Sequence, residues 1–236
     1  MFRTQMPRIY ELRDLIPDPR SPDAYFQNFD ENVQDFHVRQ IYARWETELQ
    51  GLDEDAWEFL KCEASPYLIH KDRSGRGWQQ LFDILNQARG YNYLKAIGSS
   101  NVRFIPRAKS SARTPDLEGV LDLGRVFCEV KTINITQKEV CARKEFTVRE
   151  ISTCLDDWFL RKLHLNIMEA KDQLDTYMRR ARGDSTSTSI SALTISWEST
   201  KNSIFVRSMN ICQIIRLRES TSYFTMTTRL FIRPLR

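Results

Sequence analysis

The sequence predicts a mixed α/β or α+β core behind a helical, acidic front segment. Three observations predict it. Apolar residues recur at helical spacing in two long stretches, 77–97 and 158–182. Short runs rich in β-branched residues, punctuated by turn residues, lie between and after them. Charge is divided along the chain: residues 1–70 hold 7 Lys/Arg against 14 Asp/Glu, and residues 71–236 hold 28 against 17. The 236 residues, 41% hydrophobic and 28% charged, suit one domain with an appendage. The division is drawn at 1–75, the acidic extension, and 76–236, the core.

Residues 1–24 carry Pro7, Pro17, Pro19 and Pro22 and read as an extended leading segment. Residues 25–64 read as helical, with an apolar set at Val33, Phe36, Ile41 and Trp45 and a cap at Asp30 or Asn32. A second short helix begins with acids in its first turn, where the helix dipole favours them. In the stretch 77–97, Trp78, Leu81, Phe82, Leu85 and Ala88 form one stripe, which predicts a single helix. A strand follows at 101–106, then the basic loop Arg107–Arg113. Two strands are expected at 117–121 and 126–135, joined by a turn at Asp122-Leu-Gly-Arg125. In 158–182, Leu160, Leu163, Ile167, Ala170, Leu174 and Tyr177 alternate steps of three and four, and Gly183 is a natural stop. Four β-branched runs after residue 189 predict strands.

Several function classes are excluded at this level. No run approaches about 18 apolar residues, so no membrane helix is expected. The amino-terminal stretch has no apolar signal core. Cys62, Cys128, Cys141, Cys154 and Cys212 form no CxxC pair, which argues against a zinc ribbon or a disulfide framework and for a reducing, cytoplasmic setting. No GxxxxGK[ST] loop is present, so an ATP-driven motor is not expected. His37, His70 and His164 lack partners at metal-binding spacing. A basic body can attract a polyanion such as nucleic acid through its summed field, which charge alone does not establish.

The stretch Thr114-Pro-Asp-Leu-Glu-Gly-Val-Leu-Asp-Leu-Gly-Arg-Val-Phe-Cys-Glu-Val-Lys-Thr132 carries the chemistry. Alternation along a strand puts Glu129 and Lys131 on one face and Cys128 and Val130 on the other. A turn centred on Leu123 and Gly124 would set Asp116 opposite Lys131 and Glu118 opposite Glu129, crowding four charges into one patch. Carboxylates held close repel, and a divalent cation relieves that repulsion. Hard oxygen ligands favour Mg²⁺ or Mn²⁺. A lysine beside them can orient or deprotonate a water, or offset charge building on a phosphate. The bland alternative is a cross-strand ion pair between Asp116 and Lys131 on an exposed hairpin.

Pro115-Asp116, a thirteen-residue step, and Glu129-Val130-Lys131 resemble the signature of the PD-(D/E)XK nuclease superfamily, the restriction-endonuclease-like fold. The order helix, hairpin strands, long helix, strand is similar to that family's α-β-β-β-α-β core across roughly residues 77–200. The resemblance implies a Mg²⁺- or Mn²⁺-dependent phosphodiesterase acting on nucleic acid, on DNA ahead of RNA. It implies that Asp116, Glu129 and the Val130 carbonyl hold the metal and that Lys131 positions the attacking water. Gln173 and Tyr177, four apart on the following helix, look like the QxxxY motif of the RecB-like branch and would support the site or the substrate. Where many members carry a glutamate on the helix before the hairpin, this chain offers Gln79 or Gln80, with Asp83 the one acid there; the number of metals is left open. Arg107, Lys109, Arg113, Arg179 and Arg180 are candidate phosphate contacts, with Arg182 beside them. Two other readings stay open: a catalytically silent nucleic-acid-binding module, and a protein-interaction domain. A homodimer, or a protein partner met through the acidic segment, is compatible with either.

Overall fold

The computed structural model describes residues 2–69, 78–107, 114–122, 124–133, 157–181, 189–197, 209–215 and 231–232. The chain forms two compact units, one from Met1–Asn92 and one from the described residues beyond it. The change of unit falls within the helix that spans residues 87–96, after the point at 75 drawn from composition.

The first unit is helical. It holds α1 (Phe2–Gln5), α2 (Pro7–Asp14), α3 (Phe29–Asn32), α4 (Phe36–Gln50), α5 (Glu54–Ala64), a 3₁₀ turn (Ser65–Leu68) and α6 (Gln79–Leu85). Of the leading segment expected to be extended, residues 2–5 and 7–14 are helical instead, and 15–24 are irregular. Pro7 sits in the first turn of α2. There its missing N–H costs nothing and its fixed φ favours the helix. Helix α2 has no cap from its own Met6 side chain. The carboxylate of Glu46, buried on α4, accepts the backbone N–H groups of Arg8 (3.3 Å) and Ile9 (2.9 Å) in its place. Asp35 caps α4, and Asp53 caps α5 by accepting from Ala56 N–H. The cap expected at Asp30 or Asn32 lies in the short α3 instead. Phe26, Phe29, Trp45, Leu49, Trp57 and Leu60 are buried in the helical core.

The single helix predicted over 77–97 is broken at Asn86 into α6 and α7 (Gln87–Ala96). Asn86 is fully buried at the break, where its N–H bonds the Phe82 carbonyl and its carbonyl accepts from Arg89 N–H. Gly98, at φ +86, ends α7 in the left-handed conformation that glycine adopts without strain.

The second unit is mixed α/β. Its strands are β1 (Ser100–Phe104), β2 (Leu117–Leu121), β3 (Gly124–Ile133), β4 (Ser189–Trp197), β5 (Met209–Ile215) and β6 (Phe231–Ile232), in that spatial order in one sheet. Neighbours are antiparallel except β3 and β4, which are parallel. Parallel neighbours need a crossover, and the long helix α8 (Asp157–Ala181) lies between them in sequence. The strands expected around 117–121, 126–135, 191–198 and 210–217 thus appear within a few residues. Gly119 in β2 lets Ser99 approach closely: a Cβ there would stand 2.3 Å from Ser99 Oγ, which would have to turn away. Phe127, Leu174 and Met178 form a buried cluster joining β3 to α8. The predicted stop at Gly183, Arg182 and the run at 203–208 fall outside the described residues. Among the described residues no helix is long and apolar enough to cross a membrane.

Candidate active site

The β2–β3 register differs by two residues from the one predicted. Leu117 faces Cys128, Glu118 faces Phe127 and Leu121 faces Gly124. The strands close one pair earlier because Gly124, at φ +127, is already part of β3 rather than the centre of the turn. A slip of two preserves the faces, because side-chain direction repeats every two residues. Asp116 stands just before β2, one residue beyond the last pair; its partners on β3 are Cys128 and Val130, and its charge acts on Glu129.

Asp116 is pinned on both sides. Its N–H donates to the Cys128 carbonyl (3.1 Å), and its carbonyl accepts from Ile105 N–H (2.9 Å). Its carboxylate accepts the Val130 N–H at 2.8 Å. A residue in a strand sends its N–H and C=O toward the same edge, so the Val130 carbonyl lies toward Asp116 as well. The preceding Pro115 is buried.

Glu129 is 4% exposed. Lys131 Nζ donates to its Oε1 at 2.8 Å. Gln173 Nε2 donates to its Oε2 at 2.8 Å and to the Thr114 carbonyl at 2.8 Å. The Gln173 Oε1 faces Lys131 Nζ at 3.5 Å. The amide orientation is thereby fixed by chemistry: turned over, its oxygen would meet a carbonyl and a carboxylate. Burial and the nearby charge of Asp116 push the Glu129 carboxyl up to about 8, against the opposing pull of Lys131 and Gln173. One ammonium does not balance two carboxylates in this place.

Glu118 does not join this patch, which corrects the four-charge cluster expected from sequence. It sits between Arg103, at 2.5 Å, and Arg125. Burial alone would raise its carboxyl; hydrogen bonds from Arg125 and Arg103 outweigh that and lower it. Tyr177 packs its ring edge-on against Phe127, with centroids 5.1 Å apart, as part of the α8 stripe. Helix α8 therefore presents Gln173 to the polar centre and Tyr177 to the adjoining apolar cluster, four residues apart on one face. Arg107, Arg179 and Arg180 are exposed. Arg179 donates to the Asp175 carbonyl and to Thr176 Oγ1. Lys109 and Arg113 fall outside the described residues. Gln79 and Gln80 open α6 in the helical unit, and Asp83 lies on the same helix.

The Thr114 carbonyl and the Arg103–Glu118–Arg125 cluster were not singled out from the sequence. Thr114 carries no side-chain signal for its role, because it acts through its backbone. The ion cluster is legible only once the register is known. Among the described residues no group of three His, Cys, Asp or Glu side chains gathers to hold a metal. The oxygen ligands on offer are two carboxylates and the Val130 carbonyl, with the Lys131 ammonium beside them. These oxygen groups suit a hard divalent cation, since burial and the Asp116 charge together raise Glu129 and a 2+ charge would offset the second of these. No family model, no curated protein and no solved structure matches the chain.

Proposed function

We propose that the chain is a metal-dependent phosphodiesterase of the PD-(D/E)XK type, with a restriction-endonuclease-like core, acting on nucleic acid and on DNA in preference to RNA. One observation carries the reading: Asp116, Glu129 and Lys131 converge at the end of the β2–β3 hairpin, and Gln173 ties Glu129 to Thr114 from α8.

Asp116, Glu129 and the Val130 carbonyl would hold Mg²⁺ or Mn²⁺. When bound, such an ion polarises a phosphoryl oxygen and lowers the pKa of a water. The protein's own groups do the rest. Gln173 holds the Glu129 carboxylate in one orientation, with its own amide fixed by Thr114. Lys131, whose side chain is 22% exposed, keeps its ammonium beside the carboxylates and open to a phosphate. There it orients the attacking water and offsets negative charge as the phosphate becomes five-coordinate. Tyr177 braces α8 against Phe127 and so fixes the reach of Gln173.

A second reading, a silent nucleic-acid-binding module of the same fold, is favoured by the acids present: among the described residues, two carboxylates rather than three meet here. The deciding experiment offers labelled single-stranded and duplex DNA and RNA to the protein with Mg²⁺, Mn²⁺ or EDTA. Cleavage that requires metal and is lost in Asp116→Ala and Lys131→Ala supports the hydrolase. Salt-sensitive binding without cleavage supports the silent module. Neither outcome leaves a protein-interaction domain.

A further inference from the structure

Glu118 on β2 stands between Arg103 on β1 and Arg125 on β3. Arg103 donates to its Oε1 from Nε at 2.6 Å and from Nη2 at 2.5 Å, and Arg125 donates to its Oε2 from Nη2. The Glu118 side chain is 10% exposed, whereas those of Arg103 and Arg125 are 73% and 47% exposed. The Arg125 guanidinium also lies over the Phe127 ring, 5.2 Å from its centroid. A buried carboxylate and an aromatic ring therefore hold two outward guanidinium groups in place. One guanidinium would balance the one carboxylate, so the group carries a surplus positive charge. Each guanidinium has five N–H groups; Arg103 uses two of them on Glu118 and Arg125 uses one, so both keep donors for a second anion.

Helix α8 covers the sheet on one side of this group and leaves the other open. Phe127 and Ile105 pack against Leu174, Met178 and Tyr177, which closes the face between the arginines and Glu129. Val120, paired with Arg125, is 40% exposed, so the turn end of the hairpin is uncovered. The helix advances as β3 runs back: Gln173 meets Glu129, and Tyr177 meets Phe127. Arg180 lies seven residues after Gln173, about two turns and about 10 Å along the same flank. That brings it, exposed, to the Arg125 end of β3. Arg179 is turned about 100° away from it and donates to the Asp175 carbonyl and Thr176 Oγ1.

We infer that Arg103, Arg125 and Arg180 form an anion site for a phosphate group, separate from the Asp116–Glu129 pair. The site sets three guanidinium charges against one carboxylate, and the forked N–H groups match the spacing of phosphate oxygens. Glu118 is the anchor that holds Arg103 and Arg125 in position before the ligand arrives. The phosphate belongs either to a free phosphate compound or to the backbone of a nucleic acid that docks at this corner without lying across the sheet face. The inference stands apart from the hydrolase reading, because it uses none of the residues of the candidate centre.

The test uses the full chain in EDTA, with inorganic phosphate followed by calorimetry and a fluorescent 20-nucleotide DNA followed by anisotropy. Arg125→Gln/Arg180→Gln leaves Arg103 to balance Glu118, and a thermal melt checks that the fold is kept. This variant is expected to lose about tenfold or more in affinity for the probe that the wild type binds. Arg180→Gln alone, at an exposed helix position, is expected to lose about threefold, and it carries the test should the double variant melt early. Arg125→Lys/Arg180→Lys keeps the charge without the fork and should fall between wild type and the double variant. Arg44→Gln/Arg161→Gln removes the same charge from exposed positions elsewhere and should change nothing. A loss for inorganic phosphate alone names a free phosphate compound as the ligand, and a loss for the 20-mer names a nucleic-acid backbone. The proposal is overturned by wild-type protein that binds neither probe, by unchanged affinity in Arg125→Gln/Arg180→Gln, or by an equal loss in Arg44→Gln/Arg161→Gln. Binding is read without metal and without cleavage, so failure of the hydrolase reading leaves these outcomes standing, and their failure leaves that reading standing.

Discussion

Gln173 reaches Glu129 across 44 residues of sequence, donating from Nε2 to Oε2 at 2.8 Å. That bond joins the helix α8 to the strand β3. The same amide nitrogen holds the Thr114 carbonyl, next to the Pro115-Asp116 pair. A single side chain therefore ties α8 to both carboxylate-bearing segments, which the hairpin's own hydrogen bonds hold together.

Gln173→Ala is expected to lower metal affinity or cleavage about 10–100-fold, the usual consequence of removing a group that orients a ligand. Stability should fall by about 1 kcal/mol for the lost hydrogen bonds. Manganese titration by calorimetry, beside a thermal melt, separates the two effects. Unchanged Mn²⁺ affinity and cleavage would remove the positioning role.

Glu129→Gln is expected to abolish cleavage, by at least about 10²-fold, while DNA affinity stays level or rises. The substitution keeps the shape and removes a negative charge that repels phosphate. Fluorescence anisotropy in EDTA and a gel-based cleavage assay measure the pair. Wild-type cleavage by this variant would contradict the metal role given to Glu129.

The metal-free protein should lose stability as pH rises from about 5 to 8.5. The Glu129 carboxyl is pushed up to about 8 by burial and by Asp116, so the folded state holds a proton that the unfolded chain releases near its ordinary value. The associated stability is complete below that ordinary value and disappears as pH passes through the folded one. Added Mn²⁺ should restore more stability at pH 8.5 than at pH 5, where it must first displace the proton. Melting temperatures with and without Mn²⁺ at the two pH values check both signs.

Tyr177→Phe is expected to leave cleavage within about twofold and stability within about 0.5 kcal/mol. The ring packs against Phe127, and the substitution retains the ring. Tyr177→Ala should cost about 2–3 kcal/mol, since it opens a cavity beside Leu174 and Met178. Chemical denaturation measures the difference. A large loss of cleavage in Tyr177→Phe, with stability intact, would give the hydroxyl a direct part in the chemistry.

The long helix was legible because its stripe from Ile167 to Tyr177 has unambiguous period, and the hairpin because β-branched runs flank a glycine turn. The faces of Asp116, Glu129 and Lys131 were legible for the same reason: parity survives an even slip in register. The register itself was not, because it depends on whether Gly124 closes the turn or enters the strand, which is a backbone preference the residue type leaves open. The partner of Glu118 followed the register and was misplaced with it. Pro7 misled in the opposite way, since proline breaks a helix interior and starts a helix equally well.

The parallel pairing of β3 with β4 has a consequence for the order of assembly. Asp116 and Val130 lie 14 residues apart and meet through a local hairpin, whereas Lys131 and Gln173 are separated by 42 and meet only after the crossover has wrapped back. Short loops close early and distant ones late. The two acids are therefore brought together before the amide that steadies them arrives, and the nascent chain passes through a stage in which that pair stands without its clasp.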